Sequence, residues 1–210
     1  MFGIENYAGF VAAAIILNLT PGADTLYILT RSIAQGSRAG LMSVAGIMSG
    51  CVVHVLAAAF GLSLILSTSA VAFFLVKWAG ALYLIFLGIK ALTSSTPAFE
   101  ARVSRFTHKD LFTIYKQGVI TNVLNPKVAL FFLSFLPQFI DPAHARGPLP
   151  FLLLGGTFLF TGTIWCLILT RTATRMTLTF RENARIGIWM QKLSGIIFIA
   201  FGLKLALDTR

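Results

Sequence analysis

Two short stretches hold the residues best suited to chemistry: Asn18-Leu-Thr20-Pro21-Gly22-Ala-Asp24 and Asn122-Val-Leu-Asn125-Pro126-Lys127. Proline inside a helix removes a backbone donor and clashes with the preceding turn, which frees carbonyls and N–H groups that lipid cannot satisfy. Such a break must face protein or water. After Pro21-Gly22 a new half-helix begins with Asp24 in its first turn, and its N–H groups and positive dipole end suit a carboxylate. Asn18 and Thr20 complete a polar surface there. The second stretch adds the amides of Asn122 and Asn125 and a cation, Lys127. Asp24 and Lys127 are ionisable groups in apolar surroundings, each costing at least about 2–3 kcal/mol unless paired or hydrated. A ligand with both an ammonium and a carboxylate would meet complementary partners: Asp24 for the first, and Lys127 or helix-end amides for the second. The candidate binding set is Asn18, Thr20, Pro21, Gly22, Asp24, Asn122, Asn125, Pro126 and Lys127. The structural alternatives are a helix-end charge at Asp24 and a snorkelling lysine at Lys127.

His54 sits in an apolar run, Cys51-Val-Val-His54-Val-Leu. With Asp24 it is the candidate proton carrier; the structural alternative is a buried, hydrogen-bonded imidazole. Cys51 and Cys166 lie deep in apolar runs without metal-ligand spacing, so they read as small hydrophobes, and neither a metal nor a cofactor is expected. His108 and His144 fall in loops, and no cluster of acids, histidines or a nucleophile dyad marks an enzyme. Gly46 and Gly50, with Gly155, Gly156 and Gly162, read as sites of close helix approach.

The elements that must position these groups are membrane spans. Of the 210 residues 57% are hydrophobic and 11% charged, against about 25% charged in average globular chains. A span needs roughly 20 mostly apolar residues, and six candidates meet this, near residues 7–30, 39–66, 70–92, 112–140, 149–172 and 187–207. The acidic start of the chain has no Lys or Arg ahead of its apolar run, so the first segment is expected to be retained rather than cleaved. Counting Lys and Arg in alternate loops gives twelve on one side and four on the other, with Lys127 left inside a span. That split places the first, third and fifth loops in the cytoplasm and both termini outside. It also explains the net charge of +10 through lipid-facing loops rather than nucleic-acid binding.

The two halves resemble each other. Each opens with an Asn followed by a proline three or four residues on. The third span reads Lys77-Trp-Ala-Gly80 and later Gly88-Ile-Lys90; the sixth reads Lys192-Leu-Ser-Gly195 and later Gly202-Leu-Lys204. The expected fold is an all-α integral membrane protein of about six transmembrane helices, built as two inverted three-helix repeats with proline-broken first helices. Residues 1–92 form the first repeat, 93–110 a basic cytoplasmic linker, and 111–210 the second repeat, all in one membrane domain. An odd number of spans per half makes the copies enter from opposite sides, an arrangement that produces alternating access to one central site.

The runs Leu19-Thr-Pro-Gly-Ala-Asp24, Arg31-Ser-Ile-Ala-Gln-Gly-Ser-Arg-Ala-Gly40, Asn122-Val-Leu-Asn-Pro-Lys-Val-Ala129 and Phe132-Leu-Ser-Phe-Leu-Pro-Gln-Phe139 together resemble the LysE/RhtB family of bacterial amino-acid exporters. The resemblance covers essentially the whole chain. It implies a homo-oligomeric exporter of the bacterial cytoplasmic (inner) membrane, taking an amino-acid substrate, driven by protons and surrounded by lipid. With Asp24 the one acid placed in a span, the expectation is a neutral or hydroxylated amino acid such as threonine, homoserine or leucine. The competing readings are a channel and a non-transporting membrane subunit.

Overall fold

A computed structural model describes residues 3–62, 70–93, 110–141, 147–182 and 184–207. All regular elements among them are helical: α1 (Tyr7–Leu19), α2 (Ala23–Leu56), α3 (Ala70–Thr93), α4 (Leu111–Val123), α5 (Pro126–Leu130), α6 (Leu149–Glu182) and α7 (Ala184–Leu207). A π-helical turn, Ala57–Leu62, extends α2, while Phe131–Phe135 (π) and Leu136–Phe139 (3-10) extend α5. The 93–110 linker lies, except for its two end residues, outside the described residues, as do His108 and His144.

Both proline breaks form for the same local reason. A residue before proline is pushed out of the helical region, and Thr20 (ψ 121°) and Asn125 (ψ 106°) are both extended. α1 therefore stops at Leu19, and α2 restarts after Gly22 with Asp24 in its first turn. In the second half Pro126 occupies the start of α5, where its missing N–H costs nothing, and the Asn125 side chain caps the new helix by accepting from Lys127 N at 3.1 Å. α4 and the segment after it are bent by 46° at this break.

Helix α2 is a hairpin. Gly36 has φ 81° and ψ −178°, a left-handed φ that favours glycine. A Cβ on Gly40 would collide with the Ser32 hydroxyl. Asp24 near one end and Gly50 near the other both touch Asn122, whereas 26 residues of straight helix would hold them roughly 39 Å apart. The arms are thus 23–35 and 37–56, and the loop expected around residues 31–38 shrinks to one glycine. Arg31, counted as a loop cation, is buried at 5% exposure. It donates to Gln35 and to Gln117 of α4.

By length and composition the stretch Ala23–Gly61, through its arm beyond Gly36, and Leu149–Ala173 suffice to cross a membrane, and Leu111–Val123 with Pro126–Phe139 makes a third candidate if its bend lies within one span. α2 packs on α4 and α6, while α7 packs chiefly along α3. Apolar side chains cannot drive helix association out of lipid, so close packing must. Glycines permit it: a Cβ at Gly46 would strike the Tyr115 carbonyl, one at Gly88 the Gly195 carbonyl at 2.7 Å, and one at Gly202 the Ala81 carbonyl at 2.8 Å. Gly50 and Gly155 are equally crowded, but Gly156 has nothing within 4 Å and is not a contact point. A knot of rings, Phe10, Phe131, Phe132, Phe135, Phe139 and Phe158, fills the core beside the second break, with centroids 4.9–6.0 Å apart. The segment before α1 is tied to the end of the broken segment by Glu5 N→Phe139 O and Asp141 N→Gly3 O, both 2.8 Å.

Candidate functional site

The two breaks meet. Asn122 Nδ2 donates to Asp24 Oδ2 at 2.8 Å, joining the last turn of α4 to the first turn of α2. Lys127 Nζ donates to the carbonyls of Leu17 and Thr20, 2.9 Å each. Helix ends leave their last carbonyls short of partners, Leu17 O having a 3.2 Å bond from Thr20 N besides the lysine, so the lysine of one break completes the helix end that the other creates, and its positive charge suits the negative end of α1's dipole. The lysine stem runs beside Gly22, where a Cβ would meet Lys127 Nζ at 3.5 Å.

Between the breaks lies a cavity of about 30 Å³, room for one or two waters. Six of the nine sequence-selected residues line it: Asn18, Gly22, Asp24, Asn122, Asn125 and Lys127. Thr20, Pro21 and Pro126 do not. The Thr20 hydroxyl bonds back to Ile16 O at 2.8 Å; Thr20 contributes its carbonyl to Lys127, and the prolines contribute the breaks. Asn18 Nδ2 donates to Thr161 Oγ1 at 3.1 Å, and its amide lies against Gly162 of α6.

His54 does not line the cavity. Its Nε2 lies 3.0 Å from the backbone carbonyl of Asn122, and its ring stacks on Phe132. A carbonyl only accepts, so Nε2 carries the proton. His54 therefore reaches Asp24 through one residue, with Asn122 bonded to both.

Sequence reasoning missed much of the wall. Thr25, Ile47, Met48, Cys51, Phe158, Trp165 and Cys166 also line the cavity. The two cysteines are free and buried, as apolar runs suggest, yet they face the polar centre. Trp165 gave no signal, because a tryptophan in an apolar run reads equally as core, interface or site. No group of three His, Cys, Asp or Glu placed to hold a metal occurs among the described residues.

On one flank of the cavity, the first arm of α2 is fastened to α4. Tyr27 Oη donates to Ile114 O at 2.7 Å, and Arg31 bonds Gln117 at 3.1 Å. The second arm is held by Tyr115 Oη→Ser49 Oγ at 3.0 Å.

The family model described as LysE type translocator matches residues 15–209. An uncharacterised membrane protein of Pseudomonas aeruginosa is 29% identical over 99% of this chain and 97% of its own. A leucine efflux protein of Salmonella typhimurium is 29% identical over 98% and 96%. An uncharacterised membrane protein of Vibrio cholerae is 30% identical over 97% of each chain. No solved structure matches.

Proposed function

The chain belongs to the LysE type translocator family, a transporter rather than an enzyme, and on that premise we propose that it exports neutral amino acids from the bacterial cytoplasm. The observation that carries this reading is the junction of the two proline breaks, where an acid, a cation and three amides surround one cavity. An α-amino acid is the small ligand whose two opposite charges match that set. The leucine efflux protein among the relatives agrees with a neutral substrate, as does the single acid among the described residues of the wall.

The proposed architecture is six spans in two inverted repeats, 1–92 and 111–210, joined by a cytoplasmic linker at 93–110 within the inner membrane. Two equivalences support it. The Asn18 amide lies against Gly162 of α6, and Asn122 lies against Gly50 of α2, so each break faces a glycine of the opposite half. In the α3–α7 pair, Gly88 meets Gly195 and Gly202 meets Ala81, a reciprocal crossing of the two matched motifs. Repeats that exchange conformations give alternating access. A cavity of about 30 Å³ is too small for an amino acid, so loading requires the wall to part. In this mechanism Asp24 takes the ammonium and Asn18, Asn122, Asn125 and Lys127 shape the remaining polar wall. Coupling to the proton motive force runs through Asp24 and His54, linked by Asn122. Lipid covers the exposed apolar faces, such as Leu75, Leu82 and Phe86 of α3, and a homo-oligomer would cover part of them.

A growth screen tests the substrate class. Cells overexpressing the chain are challenged with inhibitory concentrations of single amino acids. Resistance to leucine or another neutral amino acid, lost with Asp24→Asn, is the expected result; sensitivity to every neutral amino acid tested would remove the reading.

A further inference from the structure

Four buried polar atoms at the cavity make no hydrogen bond of good geometry among the described residues, Asp24 Oδ1, Asn122 Oδ1, Asn125 Nδ2 and Trp165 Nε1, although the Asn125 side chain does interact with the Asp24 carboxylate. All four residues line it, and Asn122 and Asn125 are 2% and 5% exposed. Buried polar atoms are normally paired, and an exception requires an explanation. In this closed form the cavity has room only for water; once the wall parts, the same atoms are the polar contacts offered to a ligand.

Their chemistry sorts into two pairs. Asp24 Oδ1 and Asn122 Oδ1 are acceptors on two side chains joined by the Asn122 Nδ2→Asp24 Oδ2 bond. An ammonium, with three donors, can bridge them. Of the two donors, Asn125 Nδ2 belongs to a side chain that already interacts with Asp24, which leaves Trp165 Nε1, and an indole N–H only donates. A carboxylate can accept from it. Lys127 is less available for that carboxylate, since it already donates to Leu17 O and Thr20 O. The rest of the wall includes Ile47, Met48, Cys51 and Phe158, which offer apolar contact to a side chain and no charge.

We infer that Trp165 is a substrate-binding residue: its indole N–H holds the carboxylate of a neutral amino acid. The substrate's ammonium bridges Asp24 and Asn122, and its aliphatic side chain lies against Met48, Cys51 and Phe158. This assignment rests on the amino-acid export reading and adds a residue and a binding orientation to it. It places one recognition element on α6, so both breaks and the helix facing them take part in binding.

Trp165→Phe keeps the ring and removes the donor. Binding of leucine and of leucinol, which lacks the carboxylate, is measured by the thermal stabilisation each gives the purified protein. The variant should weaken leucine by about ten-fold or more, the scale of a hydrogen bond to a charged group, and leave leucinol unchanged. Equal weakening of both, or no change in either, overturns the assignment. A second measurement does not depend on that variant folding. The chain has three tryptophans; with Trp78→Phe and Trp189→Phe, Trp165 is the sole indole reporter. Leucine should shift its emission and leucinol should not, and an emission blind to leucine overturns the proposal. A wild type that carries leucine with unaltered Trp165→Phe kinetics leaves export standing and removes Trp165; a wild type that neither binds nor carries any amino acid removes both.

Discussion

Replacing Lys127 by Met keeps an unbranched stem beside Gly22 and deletes the ammonium. Two hydrogen bonds disappear, to Leu17 O and Thr20 O, each 2.9 Å in the wild type. Both carbonyls lie at the end of α1, where Leu17 O also accepts a longer bond from Thr20 N at 3.2 Å and Thr20 O lies past the last helical turn. A hydrogen bond from a charged donor contributes about 1.5–3 kcal/mol, so the two together amount to roughly 3–6 kcal/mol. Deleting a buried ammonium recovers its desolvation cost, while Asp24 loses its neighbouring cation, and these two effects oppose each other. The net expectation is a loss of about 3 kcal/mol, equivalent to roughly 6–12 °C in unfolding temperature for a chain of this size. Cys51 and Cys166, the two cysteines of the chain, are both buried. A thiol-reactive dye therefore reports unfolding of the purified protein directly. If Lys127→Met unfolds at the wild-type temperature yet stops export, the lysine is a substrate ligand and not the clamp between the two breaks.

Gly46→Ala should destabilise by about 1–3 kcal/mol through overpacking against the Tyr115 carbonyl, whereas Gly156→Ala, with open space around it, should stay within about 0.5 kcal/mol by the same unfolding assay. Asp110 caps α4: its carboxylate accepts from the Thr113 hydroxyl and backbone N–H, and these bonds hold its carboxyl below the usual carboxylate range. A lowered folded value stabilises above the unfolded value near about pH 4 and loses that effect as pH falls through the folded one. The difference in unfolding temperature between wild type and Asp110→Ala should hold steady above about pH 5 and shrink below about pH 4. For topology, Phe2→Cys and Ser95→Cys, each in a Cys51→Ala, Cys166→Ala background, should label with an impermeant thiol reagent from opposite faces of the membrane; labelling from the same face would refute the six-span arrangement.

The breaks were legible because proline acts on its immediate neighbour: Pro21 and Pro126 alone extend Thr20 and Asn125 and end α1 and α4. Asp24, Asn122 and Lys127 were legible because polar groups in apolar runs are costly. Their roles were less so. That Lys127 caps the end of α1 depends on bringing positions 110 residues apart together, which no local pattern encodes. Gly36 lay hidden in a loop inferred from flanking arginines, and whether a given glycine pair touches depends on helix crossing, as Gly46 and Gly156 show. Trp165 is the clearest omission. Its ring type fits many positions in a membrane helix, and only the face that α6 turns toward the breaks sets it on the wall of the cavity that Asp24 and Asn122 also line.

We propose that one acid, Asp24, at the meeting point of two broken helices carries export of a neutral amino acid. Flux of labelled leucine through purified protein in liposomes, under an imposed proton gradient, tests it most directly. Wild type should move leucine along the gradient. Asp24→Asn should fall to background while unfolding at a similar temperature, because the amide oxygen can still accept from Asn122. Wild-type flux in Asp24→Asn, or no gradient-driven flux of leucine or any other neutral amino acid in the wild type, would contradict it.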